Sequence, residues 1–286
     1  MGVTSRRAAV VGSPIEHSLS PVLHRAAYAA LGLDGWTYDR VECDDTRLPA
    51  LLASLGPEWA GLSVTMPGKR VALAVADETT ERADVVGAAN TLVRLPGGGW
   101  RADCTDVDGV VGALRAAGGY RRGAGGSAVV LGAGGTALAA LAGLVELGVT
   151  EARLVVREPA RAGDAARCAE RLGLHLETLR WAEVDLGALA AGADVAISTV
   201  PAGVADAEAE RLAEAPCVLD VVYHPWPTPL ASAVAARGGR LATGLDMLLH
   251  QAFGQVEQFT GRSAPKAAMR DALRSATGDV LPLPLD

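Results

Sequence analysis

Short apolar runs and helix-like patterns alternate along the first part of the chain. The run AAVVG (8–12) predicts a strand, and SPVLHRAAYAALGL (20–33) predicts a helix with Ser20 as its N-cap and Pro21 in its first turn. The alternation continues to residue 77, with WTYDRVEC and GLSV as strands and RLPALLASLG and KRVALAVAD as helices. Strand–helix–strand order with short connections is typical of an α/β fold with a mostly parallel sheet.

A second series of elements begins after residue 108. GVVGALRAAGGYRRGAGGS (109–127) predicts a helix and a flexible glycine-rich connection, and residues 128–158 form a complete strand–turn–helix–strand unit. ADVAISTVP, CVLDVVY and RLATG add three strands, and DMLLHQAFGQVEQFTG (246–261) reads as an amphipathic helix. Two such series in 286 residues indicate one large or two medium domains.

Composition narrows the possible partners. The net charge is −7 and no basic run occurs, which disfavours nucleic acid and anionic membranes. The four cysteines are scattered and the five histidines show no ligand spacing, so we expect no disulfide framework and no metal site. The first apolar run is too short for a signal peptide, and no stretch approaches membrane-spanning length. These features favour a cytoplasmic protein.

A glycine pattern points to a dinucleotide. VVLGAGGTA (129–137) fits G-x-G-x-x-A, with Gly132 at the turn, Gly134 where the backbone would meet a pyrophosphate, and Ala137 packing helix on strand. A plain tight turn is the alternative for such a match. Here the preceding strand, the following helix and the second strand are all predicted, which favours dinucleotide binding.

The residues after the second strand of this unit bear on the choice of cofactor. An acid there would bind the ribose hydroxyls of NAD, whereas this chain has Arg157 and, four residues on, Arg161. Two guanidinium groups suit the 2′-phosphate of NADP, so we expect NADP rather than NAD. Ordinary surface arginines are the alternative, and Glu158 opposes the assignment because its charge would repel that phosphate.

The loop GLSVTMPGKR (61–70) looks like a P-loop and fails the comparison. Ser63 stands where the first glycine is required, Arg70 stands where a hydroxyl is required, and Pro67 lacks an N–H. Lys69 remains, in a chain with only one other lysine, and a lysine can exchange its proton at useful pH where an arginine cannot. A solvated cation at the start of a helix is the alternative.

DCTDVDGV (103–110) places three acids at the end of a predicted strand. A solvated turn that caps the next helix is the favoured interpretation for Asp103 and Asp108. For Asp106 the interpretation depends on whether it meets Lys69, which spacing alone does not decide.

Motifs along essentially the whole chain resemble those of the shikimate dehydrogenases. GSPIEHSLSP is similar to that family's G-x-P-I-x-H-S-x-S-P, GLSVTMPGK to G-x-N-V-T-x-P-x-K, GAANT to G-A-x-N-T, and CTDVDG to N-T-D-x-x-G. DVVYHPWPTPL is similar to D-x-x-Y-x-P-x-x-T-P-L, and GLDMLLHQA to G-x-x-M-L-x-x-Q-A. The chain departs from the family at Ser63, Cys104 and Val156, each in place of an asparagine; the first two bear on substrate preference and the third on the cofactor.

The resemblance implies a role for each matching residue. Lys69 and Asp106 are implied as the catalytic pair. The implied substrate ligands are Ser18 and Ser20 for a carboxylate and Thr65, Asn90 and Gln251 for ring hydroxyls, with Tyr223 close by. The implied cofactor ligands are Gly132, Ala133, Gly134, Gly135, Thr136, Ala137, the segment from Val156 to Arg161, Val221, Gly244, Met247 and Glu81.

The resemblance also implies an architecture and an activity. Residues 1–108 and 246–286 would form an N-terminal α/β substrate domain, residues 109–245 a Rossmann-type, doubly wound NADP-binding domain, and the active site the cleft between them. The implied reaction is the reversible, NADPH-dependent reduction of 3-dehydroshikimate to shikimate, a step of aromatic amino acid and chorismate biosynthesis, by a monomer or homodimer. Quinate or aminoshikimate dehydrogenase activity, or a noncatalytic NADP-binding regulator, is the alternative.

Overall fold

A computed structural model describes residues 5–121 and 125–285 of the chain. These residues divide into two units, unit 1 with residues up to 105 and 251–285, and unit 2 with residues 106–250. The sequence placed the corresponding divisions after residues 108 and 245. Part of the predicted glycine-rich connection, residues 122–124, lies outside the described residues.

Unit 1 is an α/β unit around one six-stranded sheet. Its strands are β1 Arg6–Gly12, β2 Trp36–Glu42, β3 Trp59–Val64, β4 Glu78–Thr79, β5 Thr91–Arg94 and β6 Trp100–Asp103. Between them lie α1 Ser20–Ala30, α2 Leu48–Ser54, α3 Lys69–Val75 and α4 Glu81–Val86. The sheet order is β2-β1-β3-β5-β6-β4, and β5 runs antiparallel to both of its neighbours. The sheet of unit 1 is therefore mixed.

Unit 2 has a fully parallel six-stranded sheet. Its strands are β7 Gly126–Leu131, β8 Val149–Val156, β9 His175–Arg180, β10 Val195–Ser198, β11 Cys217–Asp220 and β12 Arg240–Thr243, in the order β12-β11-β10-β7-β8-β9. The α-helices are α5 Asp106–Ala116, α6 Gly135–Glu146, α7 Gly163–Leu172, α8 Leu186–Ala191, α9 Ala209–Leu212 and α10 Pro229–Ala236. This strand order is that of a doubly wound dinucleotide-binding fold, so the predicted Rossmann-type architecture is confirmed.

Two further helices complete the chain, α11 Gly244–Thr260 and α12 Lys266–Ala276. The chain passes from unit 2 to unit 1 within α11, between His250 and Gln251. Within the described ranges, no helix combines the length and the apolarity that crossing a bilayer requires.

Each sheet has its own apolar core. Leu62, Leu92 and Trp100 belong to the buried cluster of unit 1, and Val129 and Val218 to that of unit 2. Strands β7, β10 and β11 of unit 2 are almost entirely buried and mostly apolar, because both of their faces are covered.

The predicted cap of the first helix is wrong by one residue. Leu19 occupies the N-cap position of α1, its side chain makes no capping hydrogen bond, and Ser20 is already helical. The N–H of Ser20 is instead 3.4 Å from the Ser18 hydroxyl oxygen, which accepts from it. Ser18, two residues upstream, therefore provides the side-chain acceptor at the start of this helix.

Candidate functional site

Strand direction gathers the candidate substrate residues of unit 1 at one edge of its sheet. Parallel strands β1 and β3 both end there, and they are followed by the loops that carry Ser18 and Ser20 and that carry Thr65 and Lys69. Because β5 is antiparallel, its start lies at the same edge, so Asn90, which precedes it, joins them. Ligands of α/β folds bind outside the carboxyl ends of parallel strands, which makes this edge a candidate site.

The loops after β1 and β3 are held together by backbone contacts. The Thr65 N–H donates to the Val11 carbonyl over 2.9 Å, and the Ser13 N–H donates to the Met66 carbonyl over 3.0 Å. Gly12 permits this approach, since a Cβ there would lie 2.8 Å from the Met66 carbonyl oxygen. The loops are thereby fixed relative to each other.

Ser18 is half-buried and held from the side by an arginine. The Arg40 guanidinium donates to the Ser18 carbonyl from Nε over 2.9 Å and from Nη2 over 2.6 Å. Ser20 is 5 % exposed, and its hydroxyl interacts with the phenol of Tyr38. The two serines therefore occupy fixed positions two residues apart at the candidate edge.

Lys69 is the first residue of α3 and is half-buried. Its carbonyl accepts a 2.9 Å hydrogen bond from the Ala89 N–H, directly before Asn90. The backbone thus joins the lysine loop to the asparagine segment.

Asn90 and Gln251 meet in unit 1. The Asn90 side-chain amide donates to Gln251 Oε1 over 3.2 Å, and Asn90 Oδ1 accepts from the Thr105 N–H over 2.8 Å. Asn90 is 3 % exposed and Gln251 is 6 % exposed. Helix α11 therefore supplies a side chain to the candidate edge.

A second glutamine of the same helix completes this arrangement and was missed in the sequence. Gln255 Oε1 accepts from the Ser63 hydroxyl over 2.7 Å and lies 3.2 Å from His24 Nε2. Gln255 Nε2 donates to the Asn90 carbonyl over 3.2 Å and to Thr91 Oγ1 over 3.1 Å. Its spacing of one helical turn from Gln251 is the signal that could have identified it.

The same network explains what Ser63 does. The Tyr38 hydroxyl donates to Ser63 Oγ over 2.6 Å, while Ser63 donates to Gln255. The only proton of the Ser63 hydroxyl is therefore used inside the protein. His24 stacks on Tyr38 with ring centroids 3.9 Å apart, and burial lowers the pKa of His24 to about 3 while raising the pKa of Tyr38.

The interpretation of Asp103 as a solvated turn residue is wrong. Asp103 is 4 % exposed, and its carboxylate accepts from the Thr80 hydroxyl, the Arg82 guanidinium, the Gln258 amide and the Cys104 N–H. Burial alone would raise the pKa of Asp103, but the hydrogen bonds and charge of Arg82 hold it below its ordinary value. Asp103 thus ties β6, α4 and α11 together.

Two other candidate residues belong to other elements. Glu81 is the exposed first residue of α4, which follows the outermost strand β4. Asp106 is the first residue of α5, is 5 % exposed, and belongs to unit 2.

In unit 2 the glycine segment joins β7 to α6. Gly132 has φ +99°, a left-handed conformation that favours glycine, and a Cβ there would lie 2.7 Å from Thr199 Oγ1. Gly134 is at the N-cap of α6 and has open space where a Cβ would be. The first N–H groups of α6 have no partner within the helix and face this space, which suits a pyrophosphate. Ala137 is fully buried, as expected of the residue that packs helix on strand.

The other candidate cofactor residues follow neighbouring parallel strands. Arg157 and Arg161 come after β8, Val221 after β11, and Gly244 and Met247 after β12, so all lie at the carboxyl edge of this sheet.

Gly244 allows a close backbone approach in this region. A Cβ at Gly244 would lie 2.1 Å from the Val221 carbonyl oxygen and 2.9 Å from Tyr223 Cδ1. Tyr223 packs here, and burial raises the pKa of its phenol. Tyr223 is thus placed in unit 2, among the candidate cofactor residues.

Within the described part of the chain, no group of three or more His, Cys, Asp or Glu residues is placed to hold a metal ion. The carboxyl edge of the unit 1 sheet offers hydroxyls, amides and a lysine, and that of the unit 2 sheet offers a helix N-terminus and two arginines.

The sequence of this chain is similar to those of known proteins. Residues 10–92 match the family model described as the shikimate dehydrogenase substrate binding domain, and residues 244–274 match the shikimate 5′-dehydrogenase C-terminal domain. The NADP(+) shikimate dehydrogenase of Synechococcus sp. (strain JA-3-3Ab) is 34% identical over 95% of this chain and 94% of its own length.

Solved structures extend the similarity to three dimensions. The shikimate dehydrogenase of Mycobacterium tuberculosis is 54% identical, with a TM-score of 0.86 over 94% of this chain and 99% of that one. The shikimate 5-dehydrogenase of Thermus thermophilus, in complex with NADP(H) and shikimate, is 32% identical, with a TM-score of 0.80 over 95% and 99%. Matching motifs, both family models and the same fold along nearly the full chain lead to one conclusion: this protein belongs to the shikimate dehydrogenase family.

Proposed function

We propose that this protein catalyses the reversible reduction of 3-dehydroshikimate to shikimate with NADPH as the reductant. The observation that carries the proposal is the edge of unit 1, where hydroxyls, two amides and a half-buried lysine converge in a member of this family. Such a set suits a small acid that carries several hydroxyl groups.

We assign substrate recognition to unit 1. The hydroxyls of Ser18 and Ser20 bind the carboxylate, and Thr65, Asn90 and Gln251 bind ring hydroxyls. The mutual hydrogen bond of Asn90 and Gln251 supports this assignment, because it holds two amides side by side. A site built to hydrogen-bond hydroxyls discriminates strongly against analogues that lack them.

We assign the proton chemistry to Lys69 with Asp106. When bound, NADPH supplies the hydride that adds to the carbonyl carbon. The electron pair of the C=O bond moves to oxygen, where the Lys69 ammonium stabilises the negative charge and then donates a proton. Asp106 orients the amine and accepts a hydrogen bond from a substrate hydroxyl. In the reverse direction Lys69 is the base.

We assign the cofactor to unit 2. Gly132 and Gly134 leave the space at the α6 N-terminus that a pyrophosphate requires, and a side chain at either position would strain or fill it. Arg157 and Arg161 are both exposed, and neither has an ion-pair partner within residues 5–121 and 125–285. Two guanidinium groups that lack a carboxylate partner suit a 2′-phosphate, which supports NADP over NAD.

We propose the domain roles accordingly, with the substrate domain near residues 1–108 and 246–286 and the NADP domain near residues 109–245. Assembly as a monomer or homodimer remains a proposal that analytical ultracentrifugation can decide. A cytoplasmic location is proposed from the cysteines, all four of which are described, buried and without a disulfide bond.

The decisive experiment is a matrix of steady-state kinetics with shikimate, quinate and aminoshikimate against NADP and NAD. We expect the highest kcat/KM with shikimate and NADP. A higher kcat/KM with quinate or aminoshikimate would contradict the substrate assignment, and a higher value with NAD would contradict the arginine argument. Tight NADPH binding without turnover of any substrate would identify a noncatalytic regulator.

A further inference from the structure

The two arginines proposed for the 2′-phosphate have an acidic residue between them. Glu158 is exposed and directly follows Arg157 at the end of β8. A carboxylate next to a phosphate site repels the anion that the site is meant to bind. The selectivity of this site therefore depends on what neutralises Glu158.

A third arginine from the neighbouring strand approaches Glu158. Arg180 ends β9, where the register pairs it with Val156 of β8. Its Nη2 lies 3.5 Å from Glu158 Oε1, and its Nη1 lies 3.5 Å from the Arg157 carbonyl oxygen. Its Nε also lies 3.2 Å from Glu183 Oε1, so one guanidinium contacts both acids and the backbone of Arg157.

The placement of Arg180 has two consequences for an anion bound after β8. The Glu158 carboxylate is drawn to the β9 side by an opposite charge, which reduces its repulsion of a neighbouring phosphate. The contact with the Arg157 carbonyl also fixes the backbone that carries the Arg157 guanidinium. Both effects favour a bound 2′-phosphate, whereas the 2′-hydroxyl of NAD carries no charge for Glu158 to repel.

We propose that Arg180 is a specificity-determining positioning residue: by pairing with Glu158 it makes the Arg157–Arg161 site selective for a nucleotide that carries a 2′-phosphate. This inference rests on the proposed NADP site. Arg180 acts through Glu158 and needs no contact with the phosphate itself.

The test replaces Arg180 by methionine, which keeps most of the apolar stem and removes the charge. Binding of NADPH and NADH is measured by nucleotide fluorescence titration, and 2′,5′-ADP and 5′-ADP are compared as competitors. We expect Arg180→Met to weaken NADPH and 2′,5′-ADP binding about three- to fivefold, the upper part of the range of one exposed charge interaction. NADH and 5′-ADP should change less than about twofold, because they carry no 2′-charge.

A matched control lies on the same pair of strands. Arg153 of β8 pairs with Glu177 of β9 over 3.4 Å, with side chains 38% and 56% exposed, against 40% and 51% for Arg180 and Glu158. Arg153→Met removes an equivalent cross-strand pair away from the strand ends. It should leave the binding of all four nucleotides unchanged.

A second variant tests the route through Glu158. Glu158→Gln in the Arg180→Met background should restore most of the NADPH affinity, because the repelling charge is gone. Equal weakening of NADPH and NADH, or no restoration by Glu158→Gln, would overturn the proposal.

The wild-type titration separates this inference from the proposed function. A wild-type protein that binds NADH more tightly than NADPH refutes both the NADP site and the role of Arg180. A wild-type preference for NADPH whose size is unchanged in Arg180→Met refutes the role of Arg180 alone.

Discussion

Replacing Gln255 by leucine tests the buried support behind the candidate substrate edge. Gln255 is 1% exposed, and its amide makes two donor and two acceptor contacts. The orientation of the amide is determined by the Asn90 carbonyl, which can only accept. Leucine fills a similar volume and removes all four contacts. The loss in the free energy of unfolding therefore depends on whether the four former partners of Gln255 keep other hydrogen bonds.

Two of those groups keep another hydrogen-bond partner, and the other two lose the acceptor of their proton. The Asn90 carbonyl still accepts from the Val64 N–H over 2.7 Å, and Thr91 Oγ1 still donates to Asn90 Oδ1 over 2.9 Å. The Ser63 hydroxyl and His24 Nε2 lose the acceptor that the structure gives them. A buried donor without a partner costs about 1–3 kcal/mol, so we expect a loss of about 2–6 kcal/mol in the free energy of unfolding.

Urea unfolding followed by tryptophan fluorescence measures this loss, with Trp36, Trp59 and Trp100 reporting on unit 1. A double-mutant cycle with Ser63→Ala supplies the control. Removing Ser63 also removes one of the two orphaned donors, so the double variant should be more stable than the sum of the single effects by about 1 kcal/mol or more. A cost below about 1 kcal/mol for Gln255→Leu, or strict additivity, would refute the reasoning.

Three further outcomes are expected. Lys69→Met should lower kcat about 10³-fold with little change in KM. Lys266→Met, at the only other lysine, is the control and should leave kcat unchanged. Steady-state kinetics would contradict the assignment if kcat of Lys69→Met stayed near normal. Gly132→Ala should weaken NADPH binding in a fluorescence titration about tenfold or more, because φ is +99° and Thr199 blocks a Cβ; unchanged affinity would count against the glycine loop. Burial lowers the pKa of His24 from 6.5 to about 3, so on acidification the unfolded chain binds the proton before the folded protein does. The free energy of unfolding should therefore fall by about 1.4 kcal/mol per pH unit below pH 6.5. His24→Leu should reduce that slope, and equal slopes in both proteins would exclude His24 as the cause.

The alternation of strands and helices could be read from the sequence because both signals are local. The glycine loop after β7 and the strands around it were predicted, since its requirements fall on neighbouring residues. The antiparallel direction of β5 was not predicted, because strand pairing depends on contacts distant in sequence. The fold class of both units is confirmed, while the individual roles of the site residues stay predictions.

The interpretations that failed concern polar side chains and their partners. Asp103 looked like a solvated turn residue, and only the folded chain brings Arg82 and Gln258 to its carboxylate. The hydrogen-bond partners of Ser63, Tyr38 and Gln255, lie 25 and 192 residues away along the chain, and the bearing of Ser63 on substrate preference stays a prediction. Which side chains become hydrogen-bond partners across such sequence distances depends on the fold, and the local sequence pattern does not contain that information.

The two units differ in when a growing chain can complete them. Unit 2 is one uninterrupted segment, residues 106–250, so its whole sequence is synthesised before residues 251–285 of unit 1. Unit 1 needs residues 251–285, because Gln255 and Gln258 satisfy the buried groups around Asn90 and Asp103. The polar groups around Asn90 and Asp103 therefore lack these hydrogen-bond partners while unit 2 is being synthesised. A released chain that ends before residue 251 would contain all of unit 2 and an incomplete unit 1, a form exposed to aggregation and to chaperone binding.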